Sequence, residues 1–258
     1  MHLVALDLLV GPIEAEAAAL AADLGTALYD ERLNLAAGFP ALLLATPDGE
    51  RAKSVRGRLE ARGQDAFVCG TEALVASEDM ISMRRFRLDD RGVEAEDRPG
   101  ERLPFDAISV MARAVHHRHT ESRTQVKEKS FSLGTALITG GLSMSQTVTR
   151  NVVTVRDDAE DVLYLFRHDG GTPWILRQSE TLYQALGGAM TQSLRANFLA
   201  TAALLRERAP AAAADDRLLA FRRIPERAER AGGQMPALAL AHNRGTDVMA
   251  HLLAQSHH

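Results

Sequence analysis

The hydrophobic repeat of this sequence changes between Gly70 and Asp79, and that change restricts the possible folds more than any other feature. Before it, apolar residues return at helical spacing in three segments, which are separated by short apolar runs of strand length. After it, from Met83 onward, apolar and polar side chains alternate with the two-residue period of a half-buried strand. Two periods in a chain of 258 residues predict two domains of different architecture.

Residues 1–75 are predicted to form a small α/β domain with the element order β-α-α-β-α-β. Its three strand candidates are apolar runs that end near Gly or Pro: His2–Val10, Phe39–Ala45 and Asp65–Cys69. Three helical segments lie between and around these runs. Gly25 and Gly63 are placed to end two of the helices, and Thr26 and Asp48 are placed to cap the N-termini of two.

Residues 76–208 are predicted to form an antiparallel β barrel-like domain with a C-terminal amphipathic helix. We expect seven strands, among them one that follows Leu103, a polar alternating one at His116–Glu128, and two at Gln146–Arg156 and Val162–Arg167. Tight turns are expected at sites such as Asp89-Asp90-Arg91-Gly92. Thr191 is placed to cap the helix, whose apolar stripe is formed by Leu194, Phe198, Ala202 and Leu205. The predicted fold class is therefore α+β.

Residues 209–258 are predicted to form a loosely structured tail. This segment is at first rich in Pro, Ala and Arg, and Gly232-Gly233 and Pro236 interrupt it. A short helix is expected within it at Asp247–Gln255.

Two parts of the chain resemble known families. The β-α-α-β-α-β order over residues 2–70, with Leu24-Gly25 between the first two helices, resembles the C-terminal domain of the bacterial ribosomal stalk protein and the Clp-protease adaptor. Phe86–Asp90 and its turn, Val93–Glu96, and Leu103–Ile108 together resemble part of a bacterial pleckstrin-homology-like domain, over residues 78–208. The whole chain also resembles bacterial proteins of unknown function. These resemblances imply folds, and they assign no functional residue.

Composition favours a cytoplasmic globular protein. The longest apolar runs are far shorter than the roughly 20 residues that span a bilayer, and Met1–Val10 lacks a basic n-region. The single cysteine, Cys69, cannot form an intrachain disulfide. The formal net charge is −4, and only residues 191–258 are basic, so we expect no nucleic-acid partner.

An apolar segment from Phe131 to Met144 is the candidate interaction surface. Its large apolar residues are Phe131, Leu133, Leu137, Ile138 and Leu142, accompanied by three glycines. A surface loop that exposed this much apolar area would be costly, so it is predicted to pack on a partner protein or on a second copy of the chain. The alternative is that it folds back onto its own sheet. Membrane attachment through this loop is disfavoured by the net charge of −4.

A histidine cluster, His116-His117-Arg118-His119, is the candidate metal site. On a strand, His117 and His119 project from the same face about 7 Å apart, and Glu121 continues that face. A catalytic zinc needs a third strong ligand, and nothing in the sequence brings His168 or Asp169 to the pair. The favoured interpretation is a solvated polar sheet face, and no cofactor is expected.

Other chemistries find weaker support in the sequence. Thr139-Gly140-Gly141 lacks the Lys-Ser/Thr ending of a phosphate-binding P-loop, and Ser143 and Ser145 do not lie in a GxSxG elbow. Cys69 ends an apolar run and is expected to be a small buried side chain. The sequence therefore favours a non-enzymatic protein–protein interaction or scaffolding module. The alternative is a metal-dependent hydrolase or small-ligand enzyme that uses His117, His119 and Glu121.

Overall fold

The computed structural model describes residues 1–131, 145–221, 226–233 and 243–257. Both helices and strands are present there, which confirms the α+β class. The chain divides into two compact units, one made of Met1–His116 with Glu160–His258 and the other of His117–Ala159.

The described helices are α1 (Ile13–Leu24), α2 (Leu28–Ala36), α3 (Gly49–Ala61), α4 (Leu194–Arg208), α5 (Glu226–Gly233) and α6 (Arg244–Gln255). The described strands are β1 (His2–Leu8), β2 (Ala41–Thr46), β3 (Asp65–Gly70), β4 (Ile81–Ser82), β5 (Phe86–Leu88), β6 (Gly92–Ala95), β7 (Arg102–Pro104), β8 (Ile108–Phe131), β9 (Ser145–Arg167), β10 (Trp174–Arg177) and β11 (Ala213–Asp215). Short 3-10 helices occupy Thr71–Ala73, Phe105–Ala107, Gln184–Ala189 and Arg217–Ala220. None of the helices in these ranges has the length and apolarity that a membrane crossing requires.

The first 70 residues have the predicted element order. β1 is the central strand of a three-stranded sheet and pairs antiparallel with both β2 and β3. Gly25 ends α1 in the left-handed conformation with φ 70°, and the Asp48 carboxylate caps α3 by accepting from the amides of Glu50 and Arg51. The capping role predicted for Thr26 is wrong, because Ala27 is the N-cap of α2 and the Thr26 hydroxyl donates to Glu31 instead.

The barrel-like expectation for the middle of the chain is wrong. In the described residues β5, β6 and β7 form a separate three-stranded antiparallel sheet, and a five-stranded sheet has the order β11-β8-β9-β10-β4. Both sheets are open. The larger sheet is also mixed, because β4 runs parallel to β10 and β11 runs parallel to β8. These two edge strands are only two and three residues long, too short for an alternating pattern to predict them.

β8 and β9 are longer than the sequence pattern predicted. The expected strand after Leu103 and the expected strand at His116–Glu128 are one continuous strand of 24 residues. The two strands expected at Gln146–Arg156 and Val162–Arg167 are likewise one strand of 23 residues. Strand formation depends on cross-strand partners more than on intrinsic propensity, so a polar stretch between two apolar runs need not interrupt a strand.

Helix α4 confirms most of the predicted apolar stripe. Phe198, Ala202 and Leu205 are buried, whereas Leu194, the first residue of the helix, is 47% exposed. The N-cap is Ser193, whose hydroxyl accepts from the Ala196 amide, two residues beyond the predicted cap.

The C-terminal segment differs from the loosely structured tail that we expected. The predicted helix is present as α6, and every residue from Gly245 to Ala254 is buried. Val248 and Leu252 share a hydrophobic cluster with Leu3 and Val110. A helix with apolar residues on most of its sides is typical of a protein core. The Pro-, Ala- and Arg-rich residues that precede this helix led to the expectation of a loose tail.

The segment in which the hydrophobic period changes is also packed. Leu74 and Ala76 are buried, and the same cluster joins Leu42 of the first sheet to Ile175 of the larger one. Because this cluster contains residues of all three predicted segments, 1–75, 76–208 and 209–258, we expect them to unfold together, and limited proteolysis can test this.

The second unit, His117–Ala159, contains His117–Phe131 of β8 and Ser145–Ala159 of β9. We call these stretches the outer parts of the two strands, which are neighbours in the sheet order. The connection between these strands, residues 132–144, lies outside the described residues.

Candidate functional site

A chain of buried hydrogen bonds joins α6 to the larger sheet. The Asp247 carboxylate lies in the first turn of α6, and its Oδ1 accepts from the Tyr164 hydroxyl at 2.7 Å. Its Oδ2 accepts from the Ser77 amide at 3.0 Å. The Tyr164 hydroxyl lies 2.6 Å from Nε2 of His116. We refer to His116, Tyr164 and Asp247 as the buried triad.

The single hydroxyl proton of Tyr164 fixes the direction of this chain. When Asp247 is ionised, Tyr164 donates to it, so His116 must carry a proton on Nε2 and donate to the Tyr164 oxygen. When Asp247 is protonated, both bonds can reverse, with Asp247 donating to Tyr164 and Tyr164 donating to His116. The arrangement can therefore relay a proton between a carboxyl and an imidazole without a change of partners.

Burial dominates the electrostatics of the buried triad. It raises the pKa of Asp247 to about 6, although the Ser77 amide and the Tyr164 hydroxyl act in the opposite direction by stabilising the carboxylate. Burial also raises the pKa of Tyr164 well above its usual value, and the neighbouring Asp247 carboxylate adds to this shift. Tyr164 therefore acts as a neutral hydrogen-bonding group.

His251, one turn after Asp247 on α6, makes a second connection to the same segment. Its Nε2 lies 3.0 Å from the Val75 amide and 2.9 Å from the Val75 carbonyl oxygen. Burial lowers the pKa of His251 to about 4, so the ring is neutral near pH 7. The ring meets Phe166 edge-on with the centroids 4.9 Å apart.

The buried triad serves the fold. His116, Tyr164 and Asp247 are 3%, 0% and 0% exposed, so a substrate has no surface of these side chains to contact. Buried polar groups that satisfy one another fix a single arrangement of the elements that carry them. The triad and His251 thus hold α6 against the segment around Val75 and against β9.

An open cleft of about 280 Å³ lies beside the first sheet. It is lined by the end of α1, by β2, by the first turns of α3 and by α5. Arg51, Arg227 and Arg230 contribute the charged part of its wall, and no Asp or Glu is among the described lining residues. We call this the arginine cleft.

A second, smaller cleft of about 190 Å³ lies along β5. Arg84, Arg85 and Arg87 line it together with Glu96, and Arg87 approaches Glu96 to 3.4 Å. Part of its positive charge is therefore already balanced.

The structure places the predicted interaction residues only in part. Phe131 is the last residue of β8, and its side chain is not described. Leu133, Leu137, Ile138 and Leu142 lie outside the described residues, as does Thr139-Gly140-Gly141. Their role therefore stays a prediction.

The residues of the predicted metal site share one strand. His117 is exposed on β8, and His119 and Glu121 follow at two-residue intervals on the same strand, although their side chains are not described. The suggested additional ligand Asp169 is bound by Arg167 at 2.8 and 2.6 Å, which holds the pKa of this carboxyl well below its usual range. Among the described residues, no group of three or more His, Cys, Asp or Glu side chains could hold a metal ion.

Cys69 confirms the expectation of a small buried side chain. It lies in the hydrophobic cluster that contains Leu3, and burial raises the pKa of its thiol to about 12. A thiol with that pKa is protonated near neutral pH and is a poor nucleophile.

Sequence reasoning missed the partners of His116 and the arginine cleft. A signal for the first was available, since Tyr164 lies inside an apolar strand and Asp247 opens an apolar helix, and buried polar groups need partners. No comparable signal joins Arg51 to Arg227, which are 176 positions apart. Comparison of the chain with protein-family models, with curated proteins and with solved structures finds no match.

Proposed function

We propose that this protein is a non-enzymatic, cytoplasmic protein–protein interaction or scaffolding module, which contacts its partner through the outer parts of β8 and β9 and the residues that connect them. The partner is another protein or a second copy of this chain. We propose no role for nucleic acid, a membrane or a cofactor.

The length of β8 and β9 is the observation that carries this proposal. They contain 24 and 23 residues, whereas the strand that pairs with β9, β10, contains four. β11 pairs with Val110–Ala112 of β8, and β10 pairs with Val162–Leu165 of β9. The outer parts of the long strands belong to the separate unit His117–Ala159.

A pair of strands has little means of stabilising itself alone. Two strands in water are marginally stable, because they enclose no core, and their outer edges carry backbone groups that can pair with another chain. Fifteen residues of strand extend about 50 Å at roughly 3.3 Å per residue. In the described part of the chain β10 and β11 pair with β9 and β8 outside these fifteen-residue stretches, so each stretch offers a long edge. The apolar residues that connect the strands add a reason to expect a partner.

The rest of the described chain supports a non-enzymatic role. Asp247 and Tyr164, whose pKa values are raised by burial, are buried and bonded to each other. Strongly shifted groups point to catalysis when they line a cleft, and these do not. The resemblance of residues 2–70 to the ribosomal-stalk and Clp-adaptor domain is consistent with a binding role and remains a proposal.

Sedimentation velocity over a range of protein concentrations tests the proposal, together with affinity capture by the tagged chain. We expect Leu137→Asp with Ile138→Asp to leave the circular dichroism unchanged and to weaken association. Burying Phe131, Leu137 and Ile138 would contribute about 1.5–3 kcal/mol each before ordering costs. Thr135→Asp with Thr139→Asp is the matched control, because it adds the same charge without removing apolar groups, and it should weaken association less.

Three outcomes would contradict the proposal. One is a wild-type chain that stays monomeric and captures no protein, and another is an equal effect of the two double variants. The third is stoichiometric zinc in the purified protein that is lost with His117→Gln and His119→Gln, which would favour the hydrolase alternative with Glu121.

A further inference from the structure

We propose that the outer part of β9 pairs antiparallel with the outer part of β9 in a second copy of this chain, with Thr154 at the centre of the pairing. The inference rests on the proposed function, because it uses the same unit of the chain. It deepens that function by naming the partner and the strand edge that binds it. The product is a symmetric dimer in which the β8–β9 pairs of two copies form one continuous sheet.

The outer part of β9 has an open edge on the side of β10. β10 pairs with Val162–Leu165, and the Asp161 carbonyl oxygen accepts from the Gln178 amide at 3.1 Å. In an antiparallel sheet, the residues whose backbone groups face one neighbour recur at every second position. The backbone groups of Val153 and Val155 therefore face the same side as those of Asp161, and in the described part of the chain the pairing with β10 lies outside this stretch. Unpaired edge groups are a template for another strand.

The residue types of the two long strands favour β9 over β8 as the binding edge. Seven of the fifteen residues in Ser145–Ala159 are Val or Thr, and none is Lys. Such β-branched residues are enriched in strands because they pack well on a pleated surface. The outer part of β8, His117–Phe131, has three Val or Thr residues and two lysines. Lysines on an edge strand discourage pairing with another chain, so the edge of β8 is the better protected of the two.

The charges of β9 make the strand complementary to itself. When Thr154 of one copy is opposite Thr154 of the other, Arg150 takes the register position opposite Asp158. Two-fold symmetry makes this charged pair occur twice. Opposite charges and Thr–Thr pairs directly across two strands stabilise an antiparallel pair, so this register favours a second copy as the partner.

The neighbouring registers match less well. With Val153 at the centre, Arg150 would be opposite Arg156, and like charges in that position are destabilising. With Val155 at the centre, Arg150 would be opposite Glu160, whose carboxylate already accepts from the amide and the hydroxyl of Ser179. The register centred on Thr154 is therefore the one that the charges favour.

The pairing is long enough to hold two copies together. Residues 150–158 of each copy would exchange about eight backbone hydrogen bonds, because an antiparallel pair exchanges two bonds at every second residue. At roughly 3.3 Å per residue the paired stretch is about 30 Å long. Pairing also turns a marginally stable two-stranded structure into a wider sheet.

Sedimentation velocity of the full chain over a range of concentrations tests the inference. The wild type should dimerise as the concentration rises. Arg150→Asp turns both charged pairs into like-charged pairs and should raise the Kd of the dimer about tenfold or more, and Asp158→Arg should do the same. An equimolar mixture of these two variants should dimerise like the wild type, because each variant then faces opposite charges in the other. Arg123→Asp is the matched control, since it makes the same change on β8, and its Kd should match that of the wild type.

A measurement on the unaltered chain protects the test against effects of the variants on folding. The amides of Val153 and Val155 should exchange their hydrogens more slowly at high than at low protein concentration, because pairing with a second copy protects them. Circular dichroism of each variant shows whether it is folded.

Four outcomes would overturn the inference. The first is a wild-type chain that stays monomeric at every concentration, and the second is a mixture that dimerises no better than the separate variants. The third is an equal rise in Kd for the control and for Arg150→Asp. The fourth is hydrogen exchange at Val153 and Val155 that does not depend on concentration.

Failure of the inference can be told apart from failure of the proposed function. If any of these outcomes is found but the tagged chain captures another protein, and Leu137→Asp with Ile138→Asp weakens that capture, the proposed function stands with a different partner. If the chain stays monomeric and captures no protein, both fail.

Discussion

Replacing Tyr164 with Phe tests whether the buried triad holds α6 in place. The change removes one oxygen and keeps the ring, which is 0% exposed and stacks on Phe166 with the centroids 6.0 Å apart. Packing is therefore conserved. What is lost are the two hydrogen bonds of that oxygen, to Asp247 at 2.7 Å and to His116 at 2.6 Å.

The magnitude follows from the number of buried groups that lose a partner. Leaving a buried polar group without its hydrogen bond costs about 1–3 kcal/mol, and more when the group is charged. Two such groups are affected, so we expect the free energy of unfolding to fall by about 2–6 kcal/mol. Tyr183→Phe is the matched control, because Tyr183 is also buried and its hydroxyl donates to a neutral group, the Gln178 carbonyl oxygen, at 3.0 Å. It should cost about 1 kcal/mol.

Urea unfolding at pH 7, followed by circular dichroism, gives both values. Tyr164→Phe should lower the urea midpoint clearly more than Tyr183→Phe. Because the Tyr164 hydroxyl lowers the pKa of Asp247, its removal should also raise that pKa further above 6, so the variant should lose additional stability as the pH rises from 6 to 7. A loss for Tyr164→Phe equal to or smaller than that for Tyr183→Phe would refute the structural role of the triad.

Three further predictions concern pH, the histidines and the domain boundary. The pKa of Asp247 is raised from 3.8 to about 6, so this residue makes the fold less stable as the pH rises from 4 to 6. The pKa of His251 is lowered from 6.5 to about 4, so this residue makes the fold more stable over the same pH range. Relative to the wild type, Asp247→Asn should therefore gain about 2 kcal/mol between pH 4 and pH 6 in urea titrations, and a parallel pH profile would contradict this. His117→Gln with His119→Gln should change the free energy of unfolding by less than about 1 kcal/mol and leave the metal content unchanged. If zinc raises the melting temperature of the wild type but not of this variant, the two histidines bind zinc and this prediction is wrong. Leu3 and Leu42 share a hydrophobic cluster with Val110, so we expect a single thermal transition and no early protease cut within residues 70–79. Two stable fragments divided within these residues would instead support independent domains.

Local signals predicted the first 70 residues well because their structure depends on neighbours in sequence. Gly25 and Asp48 act where the chain turns into or out of a helix, and such signals depend on backbone conformation within a few residues. Thr26 shows the limit of this reasoning. Its hydroxyl is bonded to Glu31, which is also paired with Arg227, 196 residues further along the chain.

The candidate sites were less predictable because they depend on distant pairs. His116 was noticed for its neighbours in sequence, His117 and His119, whereas its buried partner Tyr164 lies 48 residues away. Similarly, no sequence pattern near Arg51 indicates that it lines a cleft together with the arginines of α5. A sequence pattern shows which residue types are neighbours along the chain. A site is formed by residues that are neighbours in space, and the pattern does not show which these are.

The sequence by itself determined the α+β class, the element order of the first sheet, the apolar stripe of α4 and the burial of Cys69, because each follows from local period, capping or hydrophobicity. Tertiary structure alone decided that the sheets are open, that β8 and β9 continue through polar stretches, and that α6 is a core helix. Strand pairing and burial are settled by contacts between distant segments. Asp247 is the clearest example, since its sequence suggests an exposed first turn of a helix and its partners Ser77 and Tyr164 make it a buried junction.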